Sequence, residues 1–222
     1  MNIDDIKREF PIFDDKIQNN DLVYLDSANS SQKPRVVVDR IYDFYTKEFS
    51  NVGRSVHYLA VAATNLYEQT RVSVQKYINA KDKDEIVFTK GATEAINLVA
   101  NTFGQKYLSE GDEVLLTELE HHSNYVPWHF LRKAKNIKIE FAEINDNGEV
   151  TLEAIEKKIT NKTKIISVSH LSNVTGAILP IKEIVQLAHS KNIPVLIDGC
   201  QGAPHLKLDM QDIDCDFYAI SG

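Results

Sequence analysis

Cysteine is nearly absent. Cys200 and Cys215 are the only two thiols in 222 residues. Two are too few for a disulfide framework, and both sit in apolar stretches that suit reduced core positions in a cytoplasmic protein. Long hydrophobic runs are missing too, and none approaches the roughly 20 residues of a membrane helix. The opening stretch MNIDDIKREF puts acids where a secretory leader needs bases. Positive charge is in deficit, with 25 Lys and Arg against 32 Asp and Glu, a net −7. Nucleic-acid recognition needs a basic face, so the acidic balance argues against that partner, while a small anion needs only a local site. There is no internal repeat, low-complexity tract or Gly/Ser linker. What remains is 43% hydrophobic and 26% charged, ordinary for a folded chain. The length suits one large domain or a domain and a half.

Hydrophobic periodicity organises the chain. Apolar residues at Ile3, Ile6, Phe10 and Phe13 make a helical stripe broken by Pro11. Residues 22–25 (LVYL) predict a short strand. Pro34 opens a helix with Val37, Ile41, Phe44 and Tyr45 as its buried stripe. A long helix follows over 56–79, with Leu59, Ala63, Leu66 and Thr70 on one face. Then strands and helices alternate. Strands are predicted at 85–89, 113–117, 138–144, 164–169, 194–197 and 216–220. Helices are predicted at 93–107, 126–135, 152–159 and 181–191. Short apolar strands between amphipathic helices predict an α/β domain with a mostly parallel sheet flanked by helices. Ligands collect at the carboxyl ends of such strands.

The strand ends carry the candidate chemistry. After 85–89 comes Lys90-Gly91-Ala92-Thr93-Glu94. A Gly turn with small residues at a helix start can cradle a phosphate, though an ordinary N-cap is the commoner use of such a turn. After 113–117 come His121 and His122. Neighbouring side chains rarely share a metal ion, and no zinc spacing accompanies them. One flat imidazole can instead stack on a flat ligand, or the two can be a surface pair. After 164–169 the loop residues Ser172 and Asn173 precede Gly176 and offer polar contacts or a turn. After 194–197 stands Asp198. An acid closing so apolar a strand is costly unless a cation or donors meet it, and a protonated ring nitrogen would serve. A Mg²⁺ site would need a second nearby carboxylate, and none offers itself.

The segments YLDSANSSQKP (24–34), NVGRSVHYL (51–59), FTKGATEAINLVAN (88–101), LEHHSNYVPW (119–128), SHLSNVTGAILP (169–180), VLIDGCQ (195–201) and DCDFYAISG (214–222) run in order through the whole chain. Together they resemble the cysteine desulfurases of the class V aminotransferase family, Suf-type branch, which are pyridoxal 5′-phosphate enzymes of fold type I. The resemblance implies a fold type I large domain over 21–222, cut short, behind a helical segment over 1–20 that would pack on the small domain. It implies that Ala92 and Thr93 hold the cofactor phosphate with help from the Ser221 hydroxyl. His121 would stack on the pyridine ring and assist proton transfer. Asp198 would pair with the ring nitrogen, Gln201 would approach the phenolic oxygen, and Asn173 would lie near cofactor and substrate. Arg54 and His57 would line the entrance, with Arg54 a candidate substrate contact.

The implied activity takes sulfur from L-cysteine, leaves L-alanine, and passes the sulfur as a persulfide to an acceptor protein of iron–sulfur assembly. The implied assembly is a homodimer. The family's cofactor-binding lysine follows Ser-Gly-His, and this sequence ends at Gly222, before it. The persulfide cysteine and the carboxylate-binding arginines belong to the half beyond, and neither Cys200 nor Cys215 matches that cysteine. A strand from that half would run antiparallel between the first and last alternating strands, so 85–89 would lose its neighbour and the last strand would have an open edge. The 222-residue chain is therefore expected to be inactive and poorly folded on its own. Gly53, Ala92 and Asn29 depart from the family pattern and bear on substrate identity. Other class V activities, namely selenocysteine lyase, kynureninase-like or epimerase-like, stay open. So does a catalytically dead cofactor- or partner-binding module.

Overall fold

A computed structural model describes residues 2–222. The chain divides into two compact units, Met1–Ser73 and Val74–Gly222.

The first unit holds α1 (Ile3–Arg8), a small antiparallel pair β1 (Lys16–Ile17) and β2 (Asn20–Asp21), α2 (Arg35–Asp43) and most of α3 (Tyr58–Tyr77). Asn2 caps α1 by accepting from Asp4 N at 3.4 Å. Pro34 lies at the N-cap of α2 rather than inside its first turn. Two expectations fail here. Residues 22–25 form no strand, because the short pair nearby zips 16–17 to 20–21 and leaves them without a ladder partner. The α2 stripe is not buried: Val37 is 40% exposed, Ile41 55% and Tyr45 65%. Periodicity marks the face that would gain from cover, and nothing in this unit covers it.

The second unit carries the alternation. In order come α4 (Ala92–Val99), carried on by a wide turn into α5 (Gln105–Tyr107), then β3 (Glu113–Thr117), α6 (His122–Lys135), β4 (Lys138–Ala142), α7 (Leu152–Lys158), β5 (Thr163–Ser169), α8 (Ile181–Ser190), β6 (Val195–Asp198), α9 (Gly202–His205), α10 (Met210–Ile213) and β7 (Phe217–Ala219). The five strands pair in parallel in the order β4-β3-β5-β6-β7. The expected α/β sheet is therefore present, with strand bounds within two residues of the prediction. Helix α6 starts four residues early, because His121 rather than a later residue caps it.

Alternation along the strands splits the core between two faces. Leu115, Ile166, Val168, Val195 and Ile197 pack with Ile155 of α7 and Ile184 and Val185 of α8. Val114, Leu116, Ile165 and Leu196 pack with Ile96 of α4 and Trp128 and Leu131 of α6. At roughly 25 cal/mol per Å² of apolar area, such wholly buried side chains stabilise by about 1.5–3 kcal/mol each.

The expected strand at 85–89 is absent. Lys83–Glu85 is a 3₁₀ turn, and 86–89 is not one of the strands of the sheet. Extended, β-branched residues make a strand only when a neighbour supplies the hydrogen bonds. Between this segment and β7 runs a groove of about 860 Å³, lined among others by Ile86, Phe88, Cys215, Tyr218, Ile220 and Ser221. Among the described residues no helix is long and apolar enough to cross a membrane.

Candidate active site

The strand order reverses between β3 and β5, since β4 lies on one side of β3 and the later strands build outward on the other. Such a switch point opens a crevice at the carboxyl ends of the strands. The turn 118–121 after β3, the loop 170–180 after β5 and Asp198 at the end of β6 all meet that edge.

Asp198 is 4% exposed. β6 pairs with β5 through Ser169↔Asp198, and with β7 through Asp198↔Ala219, so its backbone is locked on both sides. Its Oδ1 accepts from Cys200 N at 3.1 Å. Among the described residues it enters no ion pair. A buried carboxylate met by the Cys200 N–H and thiol, and by no cation among the described residues, is a site suited to a cationic ring nitrogen. The turn after it is built around Tyr218. A Cβ on Gly199 would stand 2.0 Å from Tyr218 Cε1, and one on Gly202 would stand 2.8 Å from both Tyr218 Oη and His170 Nδ1. Only glycine fits either place. Tyr218 Oη in turn lies 2.7 Å from His170 Nδ1. Burial lowers the His170 pKa, which favours the neutral ring.

His121 is exposed at the N-cap of α6. Its Nδ1 accepts from Ser123 N at 3.2 Å and lies 2.8 Å from Ser123 Oγ. That fixes the turn at the start of α6.

The phosphate candidates sit at α4. Gly91 has φ +155°, a conformation side-chain-bearing residues rarely take, so glycine is required there by the backbone alone. Glu94 reaches back to accept from Lys90 N at 2.5 Å, and Thr89 Oγ1 donates to Gly91 O at 3.0 Å. The N–H groups of Ala92 and Thr93 remain first-turn donors of the helix. Ala92 is buried in the cluster that includes Ala219, two residues before Ser221. Ser221 lines the groove that Lys90 and Gly91 also line.

The remaining predicted residues are placed as follows. Asn173 is exposed in a compact turn in which Ser172 Oγ accepts from Val174 N and Thr175 N, both at 3.2 Å. Gln201 is half-buried at the N-cap of α9. Arg54 and His57 lie in the first unit, both exposed, and His57 Nδ1 accepts from Ala60 N at 3.3 Å at the start of α3. Lys90, Gly91 and Ser221 line one groove beside the Ala92–Thr93 start of α4, while His121 follows β3 and Asp198 ends β6, with β5 between those two strands. Burial pushes both cysteine thiols up to about 12, Cys200 with help from the Asp198 charge. Neither thiolate forms at neutral pH, in keeping with structural rather than nucleophilic cysteines.

Sequence reasoning passed over Glu120. It joins Thr117, Asn124 and Ser169 in one hydrogen-bonded set. A signal was there: Ser167 and Ser169 put two hydroxyls at the carboxyl end of one face of a buried strand.

A model of the family described as Aminotransferase class-V matches residues 23–222. A probable cysteine desulfurase of Halalkalibacterium halodurans is 45% identical over 222 residues, covering 100% of this chain and 55% of that protein. A cysteine desulfurase of Synechococcus elongatus is 42% identical over 222 residues, again 100% of this chain and 36% of the relative. Among solved structures, a cysteine desulfurase of Escherichia coli aligns with TM-score 0.87 at 35% identity, over 100% of this chain and 54% of that one. The apo cysteine desulfurase of Thermococcus onnurineus aligns with TM-score 0.90 at 34% identity, over 100% and 53%. The chain thus spans about half the length of most of these proteins.

Proposed function

The chain belongs to the class V aminotransferase family, and from that premise we propose that it is the N-terminal portion of a pyridoxal-phosphate-dependent cysteine desulfurase. The observation that carries the reading is Asp198, 4% exposed at the end of β6 and paired with no cation among the described residues. When bound, pyridoxal 5′-phosphate supplies an electron sink for bond changes at the substrate's α and β carbons. The rest falls to side chains of this chain. Asp198 holds a proton on the ring nitrogen. His121 covers one ring face and can move a proton there. The N–H groups of Ala92 and Thr93, the Thr93 hydroxyl and the Ser221 hydroxyl take the phosphate. Gln201 and Asn173 reach the ring's oxygen and the substrate side, and Arg54 is the candidate contact for the substrate carboxylate.

Residues 21–222 are part of the cofactor-binding domain in this reading, and 1–20 pack on the small domain. The groove between 86–89 and β7 receives an antiparallel strand from the remaining length. The substrate is L-cysteine, the products are L-alanine and a persulfide for an iron–sulfur acceptor protein, the assembly is a homodimer, and the location is cytoplasmic. The test is co-expression with the C-terminal part of the Halalkalibacterium halodurans relative. Equal amounts of L-alanine and sulfide from L-cysteine under a thiol reductant are expected, with Asp198→Asn lowering the rate by about a hundredfold or more. A reassembled, folded complex that releases neither product overturns the reading.

A further inference from the structure

The switch-point crevice holds a carboxyl that the reading above leaves without a part. Glu120 sits half-buried in the turn after β3 with both oxygens engaged. Oε1 accepts from Thr117 Oγ1 at 2.6 Å, Ser169 N at 3.0 Å and Ser169 Oγ at 3.4 Å. Oε2 accepts from Asn124 Nδ2 at 2.7 Å. Asn124 is fully buried, and its Oδ1 accepts from Ser167 Oγ at 2.5 Å and Trp128 Nε1 at 3.4 Å. A single carboxyl therefore ties the end of β3, the first turn of α6 and the carboxyl end of β5. The next residue in the chain is His121. Its partner Ser169 is the register neighbour of Asp198. Glu120 stands one covalent step from the residue offered to the ring face and one ladder step from the residue offered to the ring nitrogen.

We propose that Glu120 is a positioning residue whose ionised carboxyl braces the His121 turn against the Ser169–Asp198 pair, and whose protonation releases that brace and weakens the site for a cationic ring. The proposal rests on the pyridoxal-phosphate reading. Its chemistry is a matter of donors. Asn124 Nδ2 and Ser169 N can only donate, so a proton on Oε2 opposes Asn124, and a proton on Oε1 must turn the Thr117 or Ser169 hydroxyl from donor to acceptor and reverse that bond. Asn124 cannot turn to accept it without giving up Ser167 and Trp128. Loss of water around the carboxyl pushes its pKa up to about 7, the bonds from Thr117, Asn124 and Ser169 oppose the rise, and the Asp198 charge adds to it. The groups facing Glu120 are Thr117 at the end of β3, Asn124 on α6, Ser169 on β5 and the charge of Asp198 on β6. Its chain neighbours Glu118 and His121 are exposed.

The sign follows. In the fold this acid ionises less readily than in the unfolded chain. Its contribution to stability is full below the ordinary carboxylate range and is lost as pH rises through about 7. The form that braces the site is the form that costs stability. Binding runs the other way, since the ionised carboxyl favours a ring cation, so its benefit appears as pH rises through the same range.

The probe is pyridoxine 5′-phosphate, which lacks the aldehyde and so forms no lysine adducts. Its affinity is measured for the full chain and for Glu120→Gln, Glu120→Ala and Asp198→Asn near pH 6 and near pH 8.5. The probe's own titration cancels in each ratio. The affinity ratio of wild type to Glu120→Gln is expected to rise about fivefold or more between the two pH values. Melting followed by Trp128 fluorescence is expected to show Glu120→Gln gaining on wild type as pH rises. Glu120→Ala weakens binding at both. Should Glu120→Ala fail to fold, the Gln variant carries the test alone. A flat affinity ratio overturns the Glu120 proposal whatever the melting shows, and the site reading survives if Asp198→Asn still weakens binding. Wild type that is folded by its Trp128 emission and does not bind, or Asp198→Asn that binds as well as wild type, overturns both.

Discussion

The two units are written in the same alphabet of amphipathic helices and short apolar segments, yet only one of them has an interior. Across Val74–Gly222 three clusters of wholly or nearly buried side chains fill both sheet faces and the base of the 74–86 segment. In Met1–Ser73 the buried hydrophobic residues are Ala60 and Ala63 alone among those described. Its larger apolar side chains face solvent: Val36 is 67% exposed, Val38 47% and Tyr42 66%. The difference teaches that pattern specifies which face a segment would bury and says nothing about what will bury it. A parallel sheet supplies its own cover because each crossover lays a helix on a face. The first unit has no sheet of that kind, and its helices leave their apolar stripes exposed.

The largest expected effect is in backbone protection. Amides of β3 and β5 exchange only through global opening of the second unit, while those of α1 and α2 exchange through local fraying. Hydrogen exchange should separate the two by about a thousandfold or more. Equal protection would mean that the first unit is covered in solution. Next comes a pair of truncations at similar side chains. Leu115→Ala, at 0% exposure, is expected to cost about 2–5 kcal/mol. Ile41→Ala, at 55% exposure, is expected to stay within about 0.5 kcal/mol. The single tryptophan, Trp128, is fully buried in the second unit and reports its unfolding directly. A loss at Ile41 that grows with protein concentration would show a second copy covering α2.

Smaller again is the turn after Asp198. Gly199→Ala drives a methyl into the Tyr218 ring, which stands 2.0 Å from the new Cβ. Overpacking of this kind costs about 1–3 kcal/mol. Urea unfolding of Gly199→Ala and of Gly199→Ala with Tyr218→Ala should show the loss shrinking in the pair. An unchanged loss would place the strain in the backbone instead.

The same contrast explains what could be read in advance. Strands β3 to β7 were legible because each is a short apolar run between turn residues, and each found a neighbour. Residues 85–89 have the same composition and form no strand, since EIVFT encodes a preference and not a partner. The Val37, Ile41 and Tyr45 stripe was legible as a stripe and misleading as a core. At the candidate site Asp198 stood out because a carboxylate at the end of Val195-Leu196-Ile197 needs compensation. Glu120 did not, because EHHSN reads as a polar surface turn until β5 is brought alongside to turn Ser167 and Ser169 toward it.

The finest comparison sets one local device in both units. Asn2 Oδ1 accepts from Asp4 N at 3.4 Å to cap α1, and Thr151 Oγ1 accepts from Ala154 N at 3.2 Å to cap α7. A lost cap of this kind ordinarily costs about 1 kcal/mol. Helix α7 buries Ile155 completely, so its first turn is part of the cooperative unit. Helix α1 buries nothing, so its fraying is not coupled to any larger opening. Thr151→Ala should therefore lower the Trp128-reported stability by about 1 kcal/mol, while Asn2→Ala leaves it unchanged and lowers only the helical signal of the chain. Equal effects from the two substitutions would show that α1 is coupled to the second unit's cooperative unfolding.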